Sequence, residues 1–170
     1  RAMSRWASVE GSLRILYLTS QGILYAAENC DIQEMGRRER SLLAAYYQVV
    51  NYRSRLSMIE ASVKVLALPS LLLESWKPLL RRLERQSKTR NSLAHFGAVL
   101  HQGAPPGRRF FVAEDIANPL VPHMTAKKIF THELVEIEKL FRSLAEDVAA
   151  FEGELQGALL KEHKLRDTHS

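Results

Sequence analysis

The chain has 170 residues, a net charge of +5 and 46% apolar residues, enough for one domain with a core of its own. No run of eighteen uncharged apolar residues occurs, which excludes a membrane span, and nothing near the start reads as a secretory signal. Cys30 is the only cysteine, which excludes an internal disulfide and fits a reducing, cytoplasmic compartment. Arg1-Ala2-Met3 read as a remnant ahead of, or including, the native Met, with no fold information.

Residues 4–29 read as a first helix. Trp6, Val9, Leu13, Leu16, Tyr17, Ser20, Ile23, Leu24 and Ala27 keep a helical period. Gly11 and Gly22 weaken it or allow close helix approach. A polar turn follows from Asn29 to Gly36. A long second helix is expected over 37–68, on a stripe running from Leu42 through Tyr46, Val50, Arg53, Leu56, Ile59, Glu60 and Val63 to Leu66. Arg53 and Glu60 lie on that stripe, with structural pairing as the default and Arg90 or a partner subunit as candidate partners. Tyr46, Tyr47 and Tyr52 read as packing residues, since basic residues do not alternate with them. Pro69 ends this helix.

A third helix covers 75–101 and ends around 96–100. Its stripe is Trp76, Leu79, Leu80, Leu83, Ala94 and Gly97, with Pro78 placed in its first turn. At 100° per residue from Trp76, Arg90 lies at about −40°, Asn91 at about +60° and His95 at about +100°. Arg90 therefore falls on the core stripe. Either the helix rotates outward near its end, or these polar side chains are paired, wet or at an interface. Residues 77–90 carry six basic side chains, Lys77, Arg81, Arg82, Arg85, Lys88 and Arg90, against Glu84 alone. Such a run is a solvated face or an electrostatic footprint for a phosphate backbone.

Gly103 to Gly107 form a turn, flanked by chain that predicts a small hairpin or extended arm; the segment to His123 has no periodic pattern. Thr125 caps a last helix over 126–160, with Ile129, Leu134, Ile137, Leu140, Phe141, Leu144, Val148 and Phe151 on its stripe. Gly153 and Gly157 suggest fraying, and 161–170 reads as a loose polar tail. The whole is an all-α chain, an antiparallel bundle of four helices, or up to five. It forms one domain over 4–160, with 103–123 appended as an arm before the last helix. No pair of His or Cys has metal-ligand spacing and no glycine loop cradles phosphate, so neither a metal nor another cofactor is expected. Cys30 has no evident base and reads as a plain structural thiol.

Arg90-Asn91-Ser92-Leu93-Ala94-His95, near the end of a long helix and followed by Gly97, resembles the signature of the HEPN superfamily. The resemblance, with the helical order, covers roughly residues 8–155. It implies a HEPN-like bundle acting as a homodimer, and a metal-independent endoribonuclease of the toxin–antitoxin or defence kind. RNA is then one partner, and an antitoxin or other protein a second. On this reading His95 is the general acid or base, Arg90 clamps the phosphate, and Asn91 orients His95 or holds a phosphate oxygen. Lys77, Arg81, Arg82, Arg85 and Lys88 would bind the nucleic acid. The alternative is a non-catalytic HEPN-like module that binds protein or nucleic acid. One toxin subgroup has a Tyr two places after the His, modified by its partner; here that place holds Gly97, so that route of inhibition is not implied.

Overall fold

The computed structural model describes residues 1–23, 32–66, 68–95, 97–100, 110–114 and 128–167. Among these the architecture is a helical bundle with a small sheet. In chain order it has α1 (Ala2–Ser20), α2 (Ile32–Gln48), α3 (Tyr52–Val65), α4 (Ser70–His95), β1 (Gly97–Leu100), β2 (Phe110–Glu114), β3 (Lys128–Phe130) and α5 (Thr131–Asp167). The all-α reading thus holds at the level of the bundle. Cys30, His101, His123, Thr125 and most of the 103–123 arm lie outside the described residues.

The core forms where α1 packs along α5, the most extensive helix pairing in the molecule. Trp6, Val9, Leu13 and Leu16 supply one side, and Phe141, Leu144, Val148, Phe151, Leu155 and Leu159 the other, all buried at helical spacing. Leu56, Ile59 and Val63 of α3 and Trp76, Leu79 and Leu83 of α4 close it. Trp6 meets Tyr52 and Phe141 with ring centroids 5.1 and 5.0 Å apart, and Trp76 meets Phe151 at 5.1 Å. Such aromatic pairs add roughly 0.5–1.5 kcal/mol beyond the area they bury.

Several expected boundaries move, each for a local reason. α1 begins at Ala2, so Ala2 and Met3 belong to the fold. It stops at Ser20 because Gly22 adopts φ 76°. The Ile23 N–H bonds the Leu18 carbonyl and the Gly22 N–H that of Thr19, a left-handed glycine cap. The single long helix over 37–68 is two helices. Asn51 interrupts it in extended conformation, its Oδ1 accepting from the Arg53 and Ser54 N–H groups as the N-cap of α3. Val50 at the break is 86% exposed, off any core stripe.

α4 starts at Ser70, where the Pro69 carbonyl accepts from Leu72 and Leu73, so Pro78 sits inside the helix and not in its first turn. At the other end Leu93 takes the apolar position against the core, while Ala94 is exposed and Gly97 belongs to β1. β1 and β2 pair antiparallel, Gly97 opposite Glu114 and Leu100 opposite Phe111. β3 adds to the far edge of β2 in the order β1-β2-β3. Residues 128–130 are therefore strand, and the last helix starts at Thr131. The Glu133 carboxylate reaches back to the Phe130 N–H at 2.7 Å, as in a capping box. α5 runs unbroken through Gly153 and Gly157 to Asp167, so 161–167 are helical and not a loose tail. Leu140, expected on its stripe, is 46% exposed. No helix of the described residues is long and apolar enough to cross a membrane.

Both stops are testable. Gly22→Ala puts a side chain at positive φ and is expected to cost about 1 kcal/mol. Asn51→Ala removes the α3 cap and is expected to cost about 1 kcal/mol. Urea unfolding should show both as lower midpoints at unchanged slope.

Candidate nucleic-acid interface

α4 carries its last apolar anchor before the motif at Leu83, which is fully buried. Seven residues on, Arg90 occupies the same face, about two turns further along. Its side chain is 35% exposed, so the stripe position does draw it toward the protein. There it meets α1: Arg90 Nη2 lies 4.0 Å from Glu10 Oε1, and Arg90 Nη1 donates to Asn91 Oδ1 at 3.1 Å. Glu10 in turn accepts from the Trp6 indole N–H at 2.9 Å, tying the site to the core. Glu60, weighed as the Arg90 partner, pairs with Lys64 at 2.7 Å instead. Asn91 is exposed, and α4 is continuous from it to His95, one turn later, where the helix ends. The His95 side chain lies outside the described residues.

Arg90 and Asn91 lie at a groove of about 660 Å³ between α1, the start of α3 and the second half of α4. Six cationic side chains line it, Arg53, Arg55, Arg81, Arg85, Lys88 and Arg90, against the carboxylates of Glu10 and Glu84. Arg81, Arg85 and Lys88 share one face of α4 at spacings of four and three, where like charges oppose each other by a few tenths of a kcal/mol per pair, about 0.2–0.5. None of these three has a carboxylate within ion-pair distance among the described residues. A cleft with this charge concentrates anions and speeds their arrival.

The expected set thus divides. Arg81, Arg85 and Lys88 share the groove with Arg90 and Asn91. Lys77 is a turn earlier on α4, bonded to Glu74 at 2.6 Å. Arg82 turns to the other side and pairs with Asp147 of α5. Tyr52, Arg55 and Glu10 belong to the groove without having been singled out for it. Arg53 was placed on a core stripe, yet it is exposed and lines the groove. The helix break at Asn51 explains this, because it turns the stripe that seemed to continue from α2. The one sequence signal for Glu10 is its i,i+4 spacing from Trp6, which suits an indole-to-carboxylate bond.

Burial shapes the tyrosines beside the groove. Tyr46 is pushed up to about 12, by burial first, against the opposing pull of Arg55, whose guanidinium lies 5.6 Å from its ring centroid. Burial likewise raises Tyr52 and Tyr17. The folded state therefore disfavours the phenolates, while unfolded tyrosines ionise near pH 10. Stability from these groups is complete below about pH 10 and is lost as pH climbs toward the folded values. Denaturant midpoints taken between about pH 9 and 11 should fall, and the fall should shrink in Tyr46→Phe. No family model, curated protein or solved structure matches this chain.

Proposed function

We propose that the protein is a metal-independent endoribonuclease of HEPN type. One observation carries the reading: a groove with six cations runs into the Arg90–Asn91 pair, one helical turn before His95. The groove suits a phosphate backbone, and the motif supplies groups suited to breaking it. The RNA's own 2′-hydroxyl attacks the adjacent phosphorus, and the 5′-oxygen of the next nucleotide leaves. His95, an imidazole with a pKa near neutrality in its ordinary state, takes or delivers the proton. Arg90 faces the phosphate as charge builds on its oxygens, and Asn91 holds the guanidinium at Nη1. The products are a 2′,3′-cyclic phosphate and a 5′-hydroxyl, and DNA, lacking the attacking group, is spared. The active form is a homodimer of HEPN-like bundles that joins two such grooves, in a toxin–antitoxin or defence setting.

A second reading has one observation in its favour. Arg90 already faces an internal carboxylate, Glu10, which suits a non-catalytic module that binds nucleic acid or protein through the outer cations. Mixed RNAs in excess EDTA separate the two. Cleavage should survive chelation, leave cyclic phosphate ends and fall at least about a hundredfold in His95→Ala, the usual worth of a positioned proton-transfer group. Equal cleavage by wild type and His95→Ala would rule the enzyme reading out. Arg81→Glu and Arg85→Glu should weaken RNA binding and flatten its salt dependence, Lys77→Glu and Arg82→Glu much less. That binding pattern without cleavage belongs to the second reading.

A further inference from the structure

Three donors among the groove residues are buried and have no hydrogen-bond partner among the described residues: Arg90 Nε, Arg55 Nε and the Tyr52 hydroxyl. Native proteins rarely leave such groups unpaired; Arg14 Nε and the Trp76 indole N–H share this state away from the groove, and the three that line one groove are candidates for a shared acceptor. The geometry of Arg90 narrows what that acceptor is. Asn91 holds Nη1, which leaves the opposite edge of the guanidinium, Nε with Nη2, as a fork for two oxygens of one anion.

Glu10 sits before that fork without filling it. Its Oε1 is 4.0 Å from Nη2, too far for a hydrogen bond, because the same oxygen is held at 2.9 Å by the Trp6 indole. One carboxylate tethered to α1 cannot satisfy Trp6 and both nitrogens of the fork. A tetrahedral oxyanion offers several acceptor oxygens, enough for the fork and for further donors of the groove once the side chains covering them shift. Tyr52 packs its ring on Trp6, the residue that holds Glu10, and lines the same groove as Arg55 and Arg90.

We propose that Arg90, Arg55 and Tyr52 form a binding subsite for a single phosphate group, and that Glu10 partly occupies it in the free protein as an internal competitor. The subsite stands on these contacts alone; only its assignment to an RNA phosphodiester rests on the ribonuclease reading. An incoming phosphate displaces Glu10 from Arg90 and leaves it on Trp6. The apparent affinity is therefore reduced by the attraction between Glu10 and Arg90 that the phosphate has to overcome.

Calorimetric titration of the full chain at low salt tests this with two probes, inorganic phosphate and a short single-stranded RNA with hydroxyl ends. Glu10→Gln keeps an oxygen for Trp6, removes the charge that faces Arg90, and should tighten binding by about threefold or more. Glu84→Gln removes the other groove carboxylate and should tighten it less than about twofold, through the general field alone. Tyr52→Phe should weaken binding about fivefold or more with no loss of melting temperature, since its hydroxyl has no partner to lose. This pattern with inorganic phosphate alone assigns a free phosphate or monoester, and with the RNA as well a phosphodiester. Equal tightening by Glu10→Gln and Glu84→Gln, unchanged binding by Tyr52→Phe, or no binding of either probe overturns the subsite. The pattern without RNA cleavage keeps the subsite and removes the ribonuclease; cleavage without the pattern does the reverse.

Discussion

The Trp6 side chain is the contact on which both core and groove depend. It is buried against Tyr52 of α3 and Phe141 of α5, so it sets the spacing of three helices at once. Its indole N–H, once buried, needs an acceptor, and α1 supplies one a turn later in Glu10. A hydrogen bond to a charged group contributes about 1.5–3 kcal/mol, more than an exposed ion pair returns. The carboxylate is therefore drawn inward, and that brings a negative charge to Arg90 on α4. Core packing and groove electrostatics are thus coupled through a single side chain.

The groove itself works against stability. Six cations share a small volume with two carboxylates, and beyond the Arg90–Glu10 pair much of their mutual repulsion is left to solvent and salt to screen. Elsewhere on the described surface some basic residues meet acidic ones, as Lys77 does Glu74, Arg82 Asp147, Lys139 Glu136 and Arg5 Glu138, while Arg14, Arg38 and Arg40 make no ion pair among the described residues. The fold tolerates the imbalance because the α1–α5 interface buries a long apolar stripe, from Trp6 to Leu16 on one side and from Phe141 to Leu159 on the other. What sets the groove apart is the density of its cations, which makes its field favourable to anions.

The sequence conveyed the stripes and missed the stops. α1 and α5 were legible because Trp6, Val9, Leu13 and Leu16, and Phe141, Leu144, Val148 and Phe151, repeat at 3.6 and face a core. The break between α2 and α3 was hidden because Val49 and Val50 continue an apolar rhythm across it; only Asn51, a cap residue, marks it. Gly22 was similarly ambiguous, since a glycine weakens a helix interior and ends a helix equally well, and only its positive φ decides. For the site, Arg90 on a core stripe was readable from angle alone. Glu10, Tyr52 and Arg55 were not, because no period links residues on three helices; packing brings them together, and packing is not written in any one segment.

The directions of the helices at the groove also bear on what it offers an anion. Lys88 and Arg90 lie near the C-terminal end of α4, where the helix dipole favours cations and so offsets part of their repulsion. That same end presents carbonyls, which repel an anion. α3 contributes the opposite pole: its first turn, from Asn51 to Arg55, lines the groove and its N-terminus is favourable to negative charge. Yet the Asn51 side chain already accepts from the Arg53 and Ser54 N–H groups, so two first-turn donors are spent on the cap. α3 therefore supplies mainly field, and few backbone hydrogen bonds remain to cradle a phosphate. Directional bonds to an anion would fall to side chains, Arg90 among them, whose Nε is covered in the free protein. A guanidinium fork of that kind fixes the plane of two oxygens and leaves the rest of a ligand free, so the groove's shape constrains an anion less than its charge does.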